Sequence, residues 1–222
     1  MTISKELFAF LKDLAKNNNR DWFAENKPVF QQHQVDVKLF FRSIEERLQE
    51  TDEIEGHNVY RIYRDVRFSK DKTPYKARFS GGFKRATKAL RGGYFLSIEP
   101  GNTFVGGGFY GPNKEDLLRI RKEFEMDDSE IRDILNNEKF KALFGSLQGS
   151  ELKTAPRDFD PEHKAIDLIR KKQFYAGRYF TDKQVLSDDF ANEVVDTFIT
   201  LRPYFDFMSD VLTTDMNGVS II

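Results

Sequence analysis

"GGYFLSIEPGNTFVGGGFY", residues 92–110, decides the fold. Its apolar and aromatic residues recur with a period of two rather than the 3.6 of a helix, and Tyr, Phe, Ile and Val are the residues that suit a pleated, half-buried surface. Glu99-Pro100-Gly101-Asn102 breaks the run in its middle, with Pro and Gly at the two central positions of a type II turn. Strands over 93–99 and 103–110 therefore fold back on each other as a tight antiparallel hairpin. The same period recurs upstream, near 58–65 and 77–84, so residues 58–110 read as an antiparallel meander. Downstream, "KKQFYAGRYF" (171–180) fits either a fifth strand or a loop.

Outside the meander the period changes to that of a helix. Leu7, Phe10, Leu11 and Leu14 follow Ser4, a residue suited to an N-cap, and predict a helix over 4–16 that ends at Asn17-Asn18-Asn19. Asp21 is placed to cap a short turn carrying Trp22 and Phe23. After Pro28, Val37, Phe40, Phe41, Ile44 and Leu48 mark a long amphipathic helix. Leu7, Leu11, Leu14, Phe40, Ile44 and Leu48 are the expected core of this region. Later helices are expected after Asn113, Asp128, Asp160-Pro161 and Ser187-Asp188-Asp189, the last kinking or restarting at Pro203. Helices, meander and helices in that order predict an α+β fold, and with no linker or repeat the expectation is a single domain over 1–222.

Composition narrows the chemistry. The 222 residues are 39% hydrophobic and 32% charged, with no cysteine, which rules out disulfides, thiol catalysis and thiolate metal sites. The start, "MTISKELFAFLKDL", interrupts its apolar residues with charges and does not read as a signal peptide, and no apolar run approaches a membrane span. Cytoplasmic residence is the expectation. His33, His57 and His163 lie far apart without a metal-ligand pattern, so neither a metal nor a cofactor is expected.

The net charge of −1 conceals a strong asymmetry. Between Tyr60 and Arg91 stand eleven cations against only Asp65 and Asp71, while the rest of the chain holds 24 cations and 34 acids. A basic segment in an acidic body focuses positive potential locally and favours an anionic ligand. Arginine presents a planar fork of donors to carboxylate or phosphate, and lysine adds a mobile charge. Arg61, Arg64, Arg67, Lys72, Tyr75 and Lys76 are thus the candidate ligand-binding residues. Asp65 and Asp71, their acidity strengthened by these cations, are suited to orienting them rather than to accepting protons. Gly106, Gly107 and Gly108 leave a strand bare, which suits either a ligand lying on the backbone or close packing. Arg178, set between aromatics, is a candidate for a wall of the same site. No Walker or dinucleotide-binding glycine pattern is present.

"NNRDWFAENK", "YRIYRDVRFSKDKTPYKARFSGGF", "GGYFLSIEPGNTFVGGGFY" and "KQFYAG" stand in the same order as four blocks of a bacterial and fungal family, and the chain resembles that family, domain of unknown function 2461, over nearly its whole length. The resemblance implies one full-length domain and carries no activity, substrate or catalytic residue. Three readings of the basic segment follow from the residues themselves. The preferred one is a site for a small anion bearing phosphate or carboxylate, with binding alone or binding followed by reaction both open. The alternatives are a nucleic-acid-binding module, with Tyr63, Phe68, Tyr75, Phe79 and Phe83 interleaving the cations, and a partner-binding surface.

Overall fold

Ser4 opens the first helix by accepting a hydrogen bond from the amide of Leu7, and α1 (Lys5–Lys16) buries Leu7, Phe8, Phe10, Leu11 and Leu14. Each such side chain contributes about 1.5–3 kcal/mol when fully buried, which outweighs the weak intrinsic stability of a helix this short. The computed structural model describes residues 2–222.

One helix, α2 (Arg20–Leu48), runs where a capped turn and a separate helix were expected, and it contains Pro28. Its N-cap is Asn19, which accepts from the Trp22 amide, and Asp21 lies in the first turn instead of capping it. Pro28 lacks the amide to continue the ladder, but Phe23 and Phe30 are buried on either side of it, so packing overrides the local break.

The strands are β1 (Ile54–Val59), β2 (Phe79–Arg85), β3 (Gly93–Ile98), β4 (Thr103–Phe109) and β5 (Phe174–Phe180), in one antiparallel sheet ordered β1-β2-β3-β4-β5. With the helices before and after it, this is an α+β fold. The turn at 99–102 is as expected, with Gly101 at φ +75° and the Asn102 amide bonded to Glu99 O at 2.9 Å. The first strand, however, occupies 54–59 rather than 58–65. Residues 171–180 do supply the fifth strand.

Later helices are α3 (Lys114–Met126), α4 (Ser129–Asn136), α5 (Glu138–Phe144), α6 (Ile166–Ile169), α7 (Asp182–Val185) and α8 (Phe190–Thr213). Asn113 caps α3 as expected, whereas Asp160-Pro161 forms only a turn, with the Asp160 side chain bonded to the Glu162 amide. The helix α8 continues through Pro203.

The chain divides into two compact units. The first comprises residues up to Phe83, Phe95–Val105 and Tyr179–Asp196. Its core joins α1 to α2 through the Phe10 ring, tilted against Phe30 at 6.3 Å, and α2 to the sheet through stacked rings, Phe30 on Phe79 at 5.6 Å and Phe41 on Phe83 at 5.3 Å. Leu7, Leu11, Leu14, Phe40, Ile44 and Leu48 are all buried, as expected. Gly81 permits this approach, since a Cβ there would stand 2.6 Å from the Phe41 ring. The second unit comprises Lys84–Tyr94, Gly106–Arg178 and Thr197–Ile222, with Tyr94, Phe124, Phe174, Phe198, Tyr204 and Phe205 fully buried at its centre.

Candidate functional site

The basic stretch of the first unit is an irregular hairpin over 60–78, not a regular strand and loop. Its arms are joined by the Lys76 amide on Ile62 O (2.8 Å), the Arg64 amide on Pro74 O (2.9 Å) and an isolated Tyr63–Tyr75 bridge. The sequence dictates this root: Ile62 and Tyr75 are the two residues of the hairpin that bury, and the Tyr75 ring stacks on Phe23 at 4.0 Å. Asn18 clamps the same point, donating to Tyr75 O (2.9 Å) and accepting from the Tyr75 amide (3.1 Å). In the sequence Asn18 is visible only as a helix stop. Burial pushes the Tyr75 hydroxyl pKa up, so this tyrosine stays neutral and serves as an anchor.

Beyond the root, both acids of the stretch act as braces. Asp65 accepts from Arg67 Nε at 3.0 Å and Nη2 at 2.6 Å, which lowers its pKa and raises that of Arg67. Asp71 accepts from the Thr73 amide (2.9 Å) and hydroxyl (2.8 Å) and from Arg64, and these bonds, the amide first, hold its carboxyl down at about 2. Arg64 also donates to the Thr73 hydroxyl, and Lys72 to Val66 O at 2.9 Å. The tip is thereby fixed with Phe68 97% exposed, more than any other large apolar side chain among the described residues.

Arg64, Arg67 and Lys72 are therefore engaged in shaping the hairpin. The remaining cations are less compensated. Among the described residues neither Arg61 nor Lys70 makes a side-chain hydrogen bond or ion pair. Lys76 donates to Arg61 O at 3.2 Å, and burial together with the charges of Arg78 and Arg61 lowers its pKa. Arg78 reaches Glu99 at 3.4 Å. Arg61, Lys76 and Arg78 thus form a group whose mutual repulsion an anion would relieve.

Gly106, Gly107, Gly108 and Arg178 belong to the second unit. A Cβ on Gly107 would lie 2.5 Å from Gly93 O and 2.9 Å from the Phe205 ring; one on Gly108, at φ +141°, would lie 2.4 Å from Phe174 O. Close packing accounts for both. Arg178 donates to the Thr197 hydroxyl at 3.0 Å. The structure gathers the hairpin residues into one group, and Gly107 and Gly108 are closely packed within the second unit.

A second feature of the first unit escapes sequence reasoning. Leu96 and Ile98 are buried, so alternation turns Phe95 and Ser97 to the opposite face of β3. There Tyr60, Phe95, Phe104 and Tyr179 form a row, with successive ring centroids 6.4, 6.2 and 5.2 Å apart. The signal is present as alternation, but without strand order nothing in the sequence joins residues so distant.

Among the described residues no three His, Cys, Asp or Glu side chains gather as metal ligands, and no helix is long and apolar enough to cross a membrane. No curated protein and no solved structure gives a significant match. A family match covers residues 6–207, including both the hairpin and the aromatic row, and the chain belongs to that family, described as "Conserved hypothetical protein (DUF2461)".

Proposed function

We propose that the hairpin of residues 60–78 binds an anion bearing phosphate or carboxylate, with Arg61, Lys76 and Arg78 as the contacting cations. The observation that carries this reading is the use made of Asp65 and Asp71. Both neutralise the arginines that set the hairpin's shape, so the frame presents Arg61 and Lys76 without a matching acid, and Arg78 reaches Glu99 only at 3.4 Å. Crowded like charges cost stability unless an anion offsets them, and a braced frame loses little entropy when a ligand arrives. Arg61 presents a fork to a planar or tetrahedral anion, and Lys76 supplies a half-buried point charge.

A ligand selective for the folded state raises the melting temperature. Inorganic phosphate, tripolyphosphate and citrate at millimolar concentration are the probes for differential scanning fluorimetry. The wild type should be stabilised by at least one of them, Arg61→Ala should lose most of the response, and Lys38→Ala on the exposed side of α2 should keep it. Equal responses from the two variants, or none from the wild type, would overturn the reading. Because Lys76 has a lowered pKa, the affinity should also fall at an alkaline pH lower than an ordinary lysine would give.

A further inference from the structure

We infer that the aromatic row Tyr60–Phe95–Phe104–Tyr179 is a stacking platform for the bases of single-stranded nucleic acid, with its phosphates taken by the basic hairpin. The inference rests on the anion reading for the phosphate contacts and on an independent observation for the bases. Four aromatic rings cross the sheet on one face, each 5.2–6.4 Å from the next, at interplanar angles of 28°, 46° and 61°. The end members are the most accessible, Tyr60 at 42% and Tyr179 at 66% exposure, while Phe95 and Phe104 are half-buried. Ser80 and Ser97, both buried, and Gly82 alternate onto that face and are too small to cover the rings, while Phe79, Phe83, Leu96 and Ile98 alternate to the other side and are buried there.

An aromatic ring turned to water on a sheet face forfeits its burial energy, and a row of them is an interaction surface by that measure. Charge selects the occupant. Tyr60 adjoins Arg61, and Arg78, two residues before Ser80, lies on the ring face by the same alternation. Flat rings beside cations, of which Arg61 has no acid and Arg78 reaches Glu99 only at 3.4 Å, match a ligand that alternates π faces with phosphates, and base–aromatic stacking tolerates any base. A row spanning four rings is longer than one mononucleotide base, so an oligomer fits it better. The rest of the chain carries ten more acids than cations and would repel a long polyanion wrapped around it. The site is accordingly one for a few nucleotides, with steep salt dependence.

The test is fluorescence anisotropy of 5′-labelled dT12 and U12 with the full chain, from low salt to 0.5 M, alongside unlabelled tripolyphosphate, AMP and a duplex of equal length as competitors. Saturable binding of the oligomers should weaken log-linearly with salt, and tripolyphosphate and AMP should compete poorly. Tyr179→Ala and Tyr60→Ala should each weaken oligomer binding about tenfold and leave tripolyphosphate binding unchanged, while Tyr179→Phe retains wild-type affinity. If tripolyphosphate binds and the ring substitutions leave oligomer affinity unaltered, the platform is refuted and the anion reading stands. The platform is refuted in the same way if AMP competes as well as dT12, or if the duplex binds more tightly than either strand. Absence of oligomer binding refutes the platform, and if inorganic phosphate, tripolyphosphate and citrate also fail to stabilise the protein both readings are overturned.

Discussion

The basic stretch from Tyr60 to Arg91 is continuous in sequence but falls into two regions of opposite character. In the second unit, Arg85 is only 2% exposed, pairs with Asp206 and sits 5.8 Å over the Phe205 ring; Arg91 binds Asp116 at 2.6 Å. Acids from distant parts of the chain meet these two arginines, which tie strand ends to helices. In the hairpin the bracing acids are the local Asp65 and Asp71, Glu99 reaches Arg78 alone, and Arg61, Lys70 and Lys76 are left without carboxylate partners among the described residues. Charge density alone therefore does not mark a site. The origin of the neutralising acids does: long-range acids make a cation structural, and a local brace leaves its neighbours available.

The largest effect that separates these regions is on stability. Arg85→Ala removes one member of a pair and strands Asp206, which is half-exposed and can be rehydrated. The cost should be about 2–3 kcal/mol, below the roughly 3–5 kcal/mol for a pair buried on both sides. Arg61→Ala should change stability by less than about 0.5 kcal/mol, as exposed substitutions do. Urea unfolding of both variants decides it: comparable losses would erase the distinction between the regions.

A smaller effect sharpens the same contrast at β4. Gly107→Ala forces a methyl group against Gly93 O and Phe205, and overpacking of this kind costs about 1–3 kcal/mol. Its anion response in the thermal assay should equal that of the wild type. A variant that folds normally but loses the anion response would restore the glycines to the site.

How much of this is legible in the sequence follows from the range of the interactions. The 93–98 and 103–109 hairpin is readable because a Pro-Gly turn and period-two alternation are local, and Ser4 and Asn113 are readable as caps for the same reason. The first strand is misplaced because Tyr60, Ile62 and Arg64 alternate like a strand although only Ile62 is buried; the alternation belongs to an irregular hairpin arm. Pro28 hides the continuity of α2, since the packing of Phe23 and Phe30 that sustains the helix is tertiary. At the site, the cations and both acids can be named from sequence, but not which acid serves which arginine. The glycine run is ambiguous because a bare backbone suits a ligand and a close neighbour equally, and the close approach of the Phe205 ring to Gly107 and of the Phe174 backbone to Gly108 cannot be read from sequence. The aromatic row requires strand order, which brings Tyr60 and Tyr179 into one row although they stand far apart in the sequence.

The smallest expected effect bears on the brace itself. The Asp71 carboxyl is held at about 2 against an ordinary 3.8 because the Thr73 amide, Arg64 and the Thr73 hydroxyl all donate to its charged form. A carboxyl with a lowered pKa in the folded state contributes fully above its unfolded value and loses that contribution as the pH falls toward the folded one. The hairpin brace should therefore be intact at every pH above about 4 and weaken only between about 4 and 2. The Thr73 amide resonance in a ¹H–¹⁵N spectrum reports this directly, since its hydrogen bond ends on Asp71 Oδ1 at 2.9 Å. It should stay unshifted from about pH 7 down to about pH 4, and Thr73→Val should move the protonation of Asp71, read at its own carboxyl ¹³C resonance, to higher pH by removing one of the donors to it. If the Thr73 amide in the wild type already titrates above about pH 4, Asp71 is an ordinary solvated carboxylate. Arg64 would then be one more uncompensated cation of the hairpin, and the division between bracing and binding residues would have to be redrawn.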